Sequence, residues 1–184
     1  MLIKKMDPPP KVDLIHEILS QEENIKIIIN LINSPWHLAK DHSRNPLQDV
    51  LKFNRGFTYC VFNSNKNYAV DIQDGVGKDA HIIYEKIKTK ARIKSDQLIR
   101  LNWNMYLKNS KPKFHRDIDE EGYKSIVYDL HTTDGSTCIG GHFYNDKMGQ
   151  AKIFDSNLLH RGVIPKNDNI RFNLNIIYKC NTVK

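Results

Sequence analysis

Arg171-Phe172-Asn173-Leu174-Asn175-Ile176-Ile177-Tyr178 reads as a strand with two different faces. Successive side chains of a strand point to opposite sides, so Arg171, Asn173, Asn175 and Ile177 share one face and Phe172, Leu174, Ile176 and Tyr178 the other. The apolar face suits a sheet covered by helices. The polar face suits the ligand-lined interior of a barrel. A strand filled on both sides is covered on both sides, which counts against Arg171 lying on a solvated surface.

Working outward, the second half of the chain reads as closely spaced strands divided by turn residues. Residues 99–106, 114–117, 124–131, 137–144 (with Gly140-Gly141 inside), 151–154 and 158–163 precede the final strand. Many short strands at this spacing indicate a sandwich or small barrel. The first hundred residues read as a supporting layer of helix and strand. Residues 1–11 form a basic, proline-rich lead-in, and residues 12–33 carry apolar positions at helical spacing that end near Pro35. Residues 57–62 and 68–72 read as a hairpin, and residues 75–99 as a second helix. The expected fold is mainly β with supporting helices. It is a single domain over residues 1–184, with residues 1–100 as support and 101–180 as barrel core.

Within that core, His115-Arg116-Asp117 stands out among eight histidines, because only His115 is followed two positions on by an acid. On an extended segment the imidazole and the carboxylate point the same way. A second imidazole, His160, comes from a later strand. Two histidines and one carboxylate on one face of a metal leave adjacent coordination positions open, the donor set of non-haem Fe(II) oxygenases. Arg171, eleven positions after His160, adds a permanent charge that can fork onto a carboxylate. An isolated HxD is a weak motif; the ordered series around it gives it weight. The other histidines (His16, His37, His42, His81, His131 and His142) read as surface or packing residues.

Residues 102–178 resemble the catalytic core of the Fe(II)- and 2-oxoglutarate-dependent dioxygenases, particularly the prolyl-4-hydroxylase-like branch. The similarity rests on Tyr106, the run 114–117, the strand 125–130, Gly140-Gly141, the run 153–162 and the run 171–178. It implies a double-stranded β-helix (jelly-roll, cupin-like) core. It implies that His115, Asp117 and His160 bind Fe(II) and that Arg171 binds the distal carboxylate of 2-oxoglutarate, with Tyr106 close to that co-substrate. Its chemistry is hydroxylation of a peptidyl residue (prolyl-type) or a small molecule, releasing succinate and CO2, with ascorbate as an accompanying reductant. The carboxylate Asp117 favours hydroxylation over halogenation, since the resembling halogenases leave that corner to chloride.

The sequence departs from the family pattern in two places. His142 follows the Gly-Gly pair where an acid is common, and Asp129 beside Tyr128 stands where some relatives place a second tyrosine. An aspartate facing the co-substrate carboxylate is repulsive, so Ser125 and Asn173 are the expected substitutes there. Two readings compete with the leading one: a cupin-like metalloenzyme of other chemistry, and a non-catalytic binding module on the same scaffold.

Composition narrows the class further. The chain has 184 residues, 40% of them hydrophobic, enough for one domain with a real core. Cys60, Cys138 and Cys180 are odd in number and have no CxxC spacing, so disulfide and zinc scaffolds are poor readings. No signal or membrane segment is evident, and a cytoplasmic setting in a phage or bacterium is expected. The net charge of +7 invites nucleic acid, but the lysines are dispersed. The superfamily's nucleic-acid demethylases usually carry a second arginine six residues after the first, where this chain has Ile177. A peptide or small-molecule substrate is therefore expected, with nucleic acid disfavoured.

Overall fold

A computed structural model describes residues 8–38, 56–64, 68–69, 75–94 and 96–180. Its elements are β1 (Asp13–Ile15), α1 (Gln21–Ile32), β2 (His37–Leu38), β3 (Phe57–Asn63), β4 (Tyr68–Ala69), α2 (Gly75–Ala91), β5 (Asp96–Leu107), β6 (Tyr123–Asp129), β7 (Ser136–Ile139), β8 (His142–Asn145), β9 (Gln150–Asp155), β10 (His160–Val163) and β11 (Ile170–Cys180). One sheet runs β1-β9-β6-β11-β5-β3-β2, with β4 paired to β3, and a three-stranded sheet runs β10-β7-β8. All the pairings are antiparallel. The result is a β-rich jelly-roll core, the double-stranded β-helix.

β11 lies between β5 and β6, and its alternation works as the sequence implies. Arg171 pairs with Tyr106, Asn173 with Asn104 and Asp129, and Asn175 with Asn102 and Val127, so these side chains share the inner face. On the outer face Phe172, Leu174, Ile176 and Tyr178 join Leu101, Trp103, Ile126 and Tyr128 beneath the helices, which contribute Ile27, Leu31, Ala80, Ile83 and Ile87. Two polar contacts fix the helices to this face. The Trp103 indole donates to the Val76 carbonyl at 2.9 Å, and the Tyr128 hydroxyl donates to Asn24 Oδ1 at 2.6 Å. Helix α1 starts at a capping box in which Ser20 and Glu23 satisfy each other's backbone N–H groups.

Several boundaries differ from the sequence reading. The segment 12–33 is not one helix: β1 pairs with the edge of β9, and the helix begins only after Ser20. The helix expected over 75–99 ends at Ala91, Arg92 has a positive φ of 55°, and β5 starts at Asp96. The strand expected over 137–144 is two strands, β7 and β8, paired as a hairpin. Gly140 and Gly141 form its turn, with φ of 54° and 87°, a backbone that side chains with a Cβ rarely adopt. The run 114–117 is not a ladder strand and makes only an isolated bridge between His115 and His160. The hairpin over 57–62 and 68–72 holds where described, as Phe62 pairs with Ala69 and Asn63 with Tyr68. Residues 70–72, residues 1–7 of the lead-in and His42 lie outside the described residues.

Candidate metal and co-substrate site

The HxD segment reaches the barrel mouth by main-chain bonds. His115 and His160 exchange both backbone hydrogen bonds at 2.9 Å, and Asp117 N–H donates to Ser156 O at 3.0 Å. These bonds set three donor groups side by side, with ligand atoms of His115, Asp117 and His160 all within 4.8 Å of one another. Two metal–ligand bonds of ~2.1 Å span ~4 Å, so the trio matches the coordination shell of one ion.

Each imidazole is oriented the same way. His115 Nδ1 bonds the carbonyl of Lys113 at 3.0 Å, and His160 Nδ1 bonds that of Leu158 at 2.9 Å, in both cases two residues back. A carbonyl accepts only, so Nδ1 of each ring carries a proton and Nε2 is the nitrogen left to face Asp117. Both Nε2 atoms face Asp117, at 3.9 Å from Oδ1 for His115 and 3.4 Å from Oδ2 for His160. Carbonyls that fix the far nitrogen are the usual support of metal-binding imidazoles. The Phe154 ring packs edge-on against His160 at 4.9 Å. The Asp117 and His160 side chains are only 2% and 4% exposed and that of His115 is 51% exposed, so the trio opens on the His115 side.

Asp117 is held in its charged form. Burial pushes its carboxyl up, but His160, the Arg100 guanidinium and the Ser125 hydroxyl outweigh this and hold it well below the usual carboxylate range. Arg100 Nη2 donates to Oδ1, and Ser125 donates to Oδ2 at 2.7 Å. Burial and the neighbouring His160 lower the His115 pKa, favouring the neutral ring a metal needs.

The trio lies at one end of a cavity of ≈510 Å³ that also reaches Tyr106, Asn173 and Arg171. Arg171 is 1% exposed. Its Nε donates to Asp146 Oδ2 at 2.6 Å, and its Nη2 donates to Asp146 Oδ1 at 2.7 Å and to Thr137 Oγ1 at 3.0 Å. The guanidinium carbon lies 5.6 Å from the centre of the Tyr106 ring. Burial raises the Tyr106 pKa, keeping its phenol a donor. Asn173 Oδ1 accepts from Asn104 at 3.0 Å on the cavity wall.

Among the expected co-substrate residues, Ser125 is the one set apart. It is fully buried at the metal end, bonded to Asp117 and, at 2.9 Å, to Ser156. Asp129, not Tyr128, faces inward, its Oδ1 4.0 Å from Arg171 Nη2, because Tyr128 turns outward to Asn24. Lys152 sits between Asp129 and Asp146 and bonds both. Arg100, Thr137, Asp146 and Lys152 are site residues that the sequence reading missed. Lys152 alone left a trace, as a charge alternating with Gln150 and Phe154 on the inward positions of β9.

No family model matches this chain, and no curated protein matches it. Solved structures do. An oxidoreductase of the 2OG-Fe(II) oxygenase family from Burkholderia pseudomallei superposes with a TM-score of 0.64 at 12% identity, over 92% of this chain and 84% of that one. HygX from Streptomyces hygroscopicus, solved with nickel and 2-oxoglutarate bound, gives 0.63 at 11% identity, over 93% and 83%. The viral collagen prolyl hydroxylase vCPH from Paramecium Bursaria Chlorella virus-1 gives 0.56 at 13% identity, over 97% of both chains. The chain therefore has the fold of the 2OG-Fe(II) oxygenases.

Proposed function

We propose that this chain is an Fe(II)- and 2-oxoglutarate-dependent oxygenase acting as one domain. In this reading His115, Asp117 and His160 hold the metal, and Arg171 with Tyr106 and Asn173 receives the co-substrate. The observation that carries it is one cavity with a compact His-Asp-His donor set at one end and a buried arginine at the other. The donor set fits Fe(II). Two imidazoles turn Nε2 toward one ionised carboxylate, and the open side faces the cavity. The fold neighbours, one of them solved with nickel and 2-oxoglutarate, support the same assignment.

The bound metal supplies the redox chemistry by which dioxygen decarboxylates 2-oxoglutarate to succinate and oxidises the substrate. The residues of this chain do the rest. Nδ1 bonds to two carbonyls fix both imidazoles and aim each Nε2. Ser125 and Arg100 keep Asp117 charged. Arg171 binds the distal carboxylate by a charge-assisted bond, and the phenol of Tyr106 packs beside it. Asn102, Asn104 and Asn175 line the remaining wall and orient a polar substrate, a peptidyl residue or small molecule, for hydroxylation.

The test is turnover by the Fe(II)-loaded protein. Succinate should form from 2-oxoglutarate in the presence of oxygen and a pool of peptides and metabolites. Tight metal binding with no succinate from any pool would favour a cupin-like metalloenzyme of other chemistry.

A further inference from the structure

The guanidinium of Arg171 lies between two buried carboxylates, and only one of them holds it. Asp146 takes the edge formed by Nε and Nη2, at 2.6 and 2.7 Å. Asp129 Oδ1 stands 4.0 Å from Nη2 and has no hydrogen-bond partner among the described residues. Resting on the function proposed above, we propose that Asp146 is the positioning residue of the carboxylate anchor. By holding that edge it turns the remaining nitrogen, Nη1, toward the cavity, with the Thr137 hydroxyl beside it as a second donor.

Three features of the structure support this. First, Asp146 is itself fixed. Its Oδ2 accepts from Thr133 at 2.8 Å, its Oδ1 from Lys152 at 3.4 Å, and its N–H donates to Gly135 O at 3.2 Å. Gly135 is the residue this packing requires, because a Cβ there would fall 2.9 Å from Asp146 Oδ2. Second, Nη1 faces a space kept open by a glycine. A Cβ on Gly162 would fall 2.9 Å from Nη1 and 3.6 Å from the Tyr106 ring. Third, Thr137 Oγ1 accepts from Nη2 at 3.0 Å, so its own O–H is directed elsewhere, and Thr137 lines the cavity.

The consequence is specific. Arg171, Lys152, Asp129 and Asp146 are each no more than 2% exposed and sum to no net charge. A dicarboxylate is therefore drawn to this end by aimed donors rather than by excess positive charge. Without the Asp146 charge, the nearest anion to Arg171 is the unpartnered Asp129 Oδ1, and the guanidinium shifts toward it and away from the cavity.

The experiment titrates 2-oxoglutarate into the Mn(II)-loaded protein by calorimetry. In parallel, glutarate is titrated into the metal-free protein and followed by NMR, which reads the anchor without any metal. Asp146→Asn should weaken both ligands about tenfold or more, the size of one charge-assisted hydrogen bond, with Mn(II) affinity kept. In turnover, KM for 2-oxoglutarate should rise while kcat at saturation holds. Adding Asp129→Asn to Asp146→Asn removes the competing anion and should restore most of the affinity, which a merely structural loss would not do. Gly162→Ala, which changes none of the four charges but crowds Nη1, should weaken 2-oxoglutarate binding, and keeps the idea testable if the double variant fails to fold. Unchanged or tighter binding by Asp146→Asn, with Arg171→Ala still defective, would overturn the positioning role and leave the function standing. Absence of 2-oxoglutarate binding by the unsubstituted protein would overturn both.

Discussion

The two ends of the cavity differ in how complete they are. At the anchor end, Arg171 donates to Asp146 and Thr137, and Lys152 bridges two carboxylates, so nearly every buried charge meets a partner from the chain itself. At the proposed metal end two imidazole Nε2 atoms and a carboxylate converge, and among the described residues the cation beside them is the side-on Arg100. Buried polar groups are ordinarily satisfied. A cluster of acceptors facing one point is the exception that marks a cation site, whereas a satisfied cluster marks a pre-set socket. In the proposed function one end waits for its metal, and the other is pre-organised for the co-substrate.

The largest expected effect breaks the incomplete end. His160→Ala removes a ligand that is 3% exposed and should abolish tight Fe(II) or Mn(II) binding, measured as metal stoichiometry after dialysis. Unchanged stoichiometry would remove His160 from the metal site. Next, Arg171→Ala deletes the centre of the satisfied end. It should raise KM for 2-oxoglutarate by tens-fold or more, a loss of roughly 2–5 kcal/mol for a buried pair, while metal binding survives. Arg171→Lys should recover only part, because a point charge offers no fork.

A smaller effect separates the two carboxylates of the anchor. Burial and the neighbouring Asp146 push the Asp129 carboxyl up to about 6, against the pull of Lys152, whereas Arg171 overcomes burial to hold Asp146 low. Between the ordinary carboxylate value of ~3.9 and 6, the folded state keeps the Asp129 proton that the unfolded chain has released. This contribution therefore stabilises the fold as pH falls from 7.5 to 5, and is lost as pH rises through 6. Asp129→Asn removes it. Relative to the unsubstituted protein, that variant should look less stable at pH 5 than at pH 7.5, by about 1.4 kcal/mol, in thermal melts at both pH values. Asp146 works the other way: its contribution is present above ~4 and is lost as pH falls further. The smallest effect lies away from both ends. Ser20→Ala removes the α1 cap and should cost about 1 kcal/mol, with metal and 2-oxoglutarate affinity unchanged.

The same contrast explains what the sequence disclosed. The final strand was legible because it alternates over eight residues with both faces buried, and the gathering of His115, Asp117 and His160 because HxD is local and unique among the eight histidines. Short-range order misled where a tertiary partner decided the outcome. β1 is three residues that become a strand only by pairing with β9. Gly140-Gly141 read as part of a strand although its positive φ values make it a turn. The surroundings of Arg171 were half legible. Its inward face followed from the alternation of the final strand, but Asp146 sits in a turn where an aspartate is unremarked, and Asp129, Lys152 and Thr137 gather there only through the register of β6 and β9 and the packing of the second sheet, which holds β7.

In the proposed function one dicarboxylate spans the cavity, chelating the metal at one end and meeting Arg171 at the other. An Fe(II) ion chelated by a 2-keto acid absorbs visible light, so anaerobic titration of 2-oxoglutarate into the Fe(II)-loaded protein reads that arrangement directly. A visible band should saturate with 2-oxoglutarate, be missing in His160→Ala, and appear in Arg171→Ala only at much higher concentration. A band-free titration in which calorimetry still shows 2-oxoglutarate bound would contradict that arrangement, because the dicarboxylate would then be held without reaching the metal.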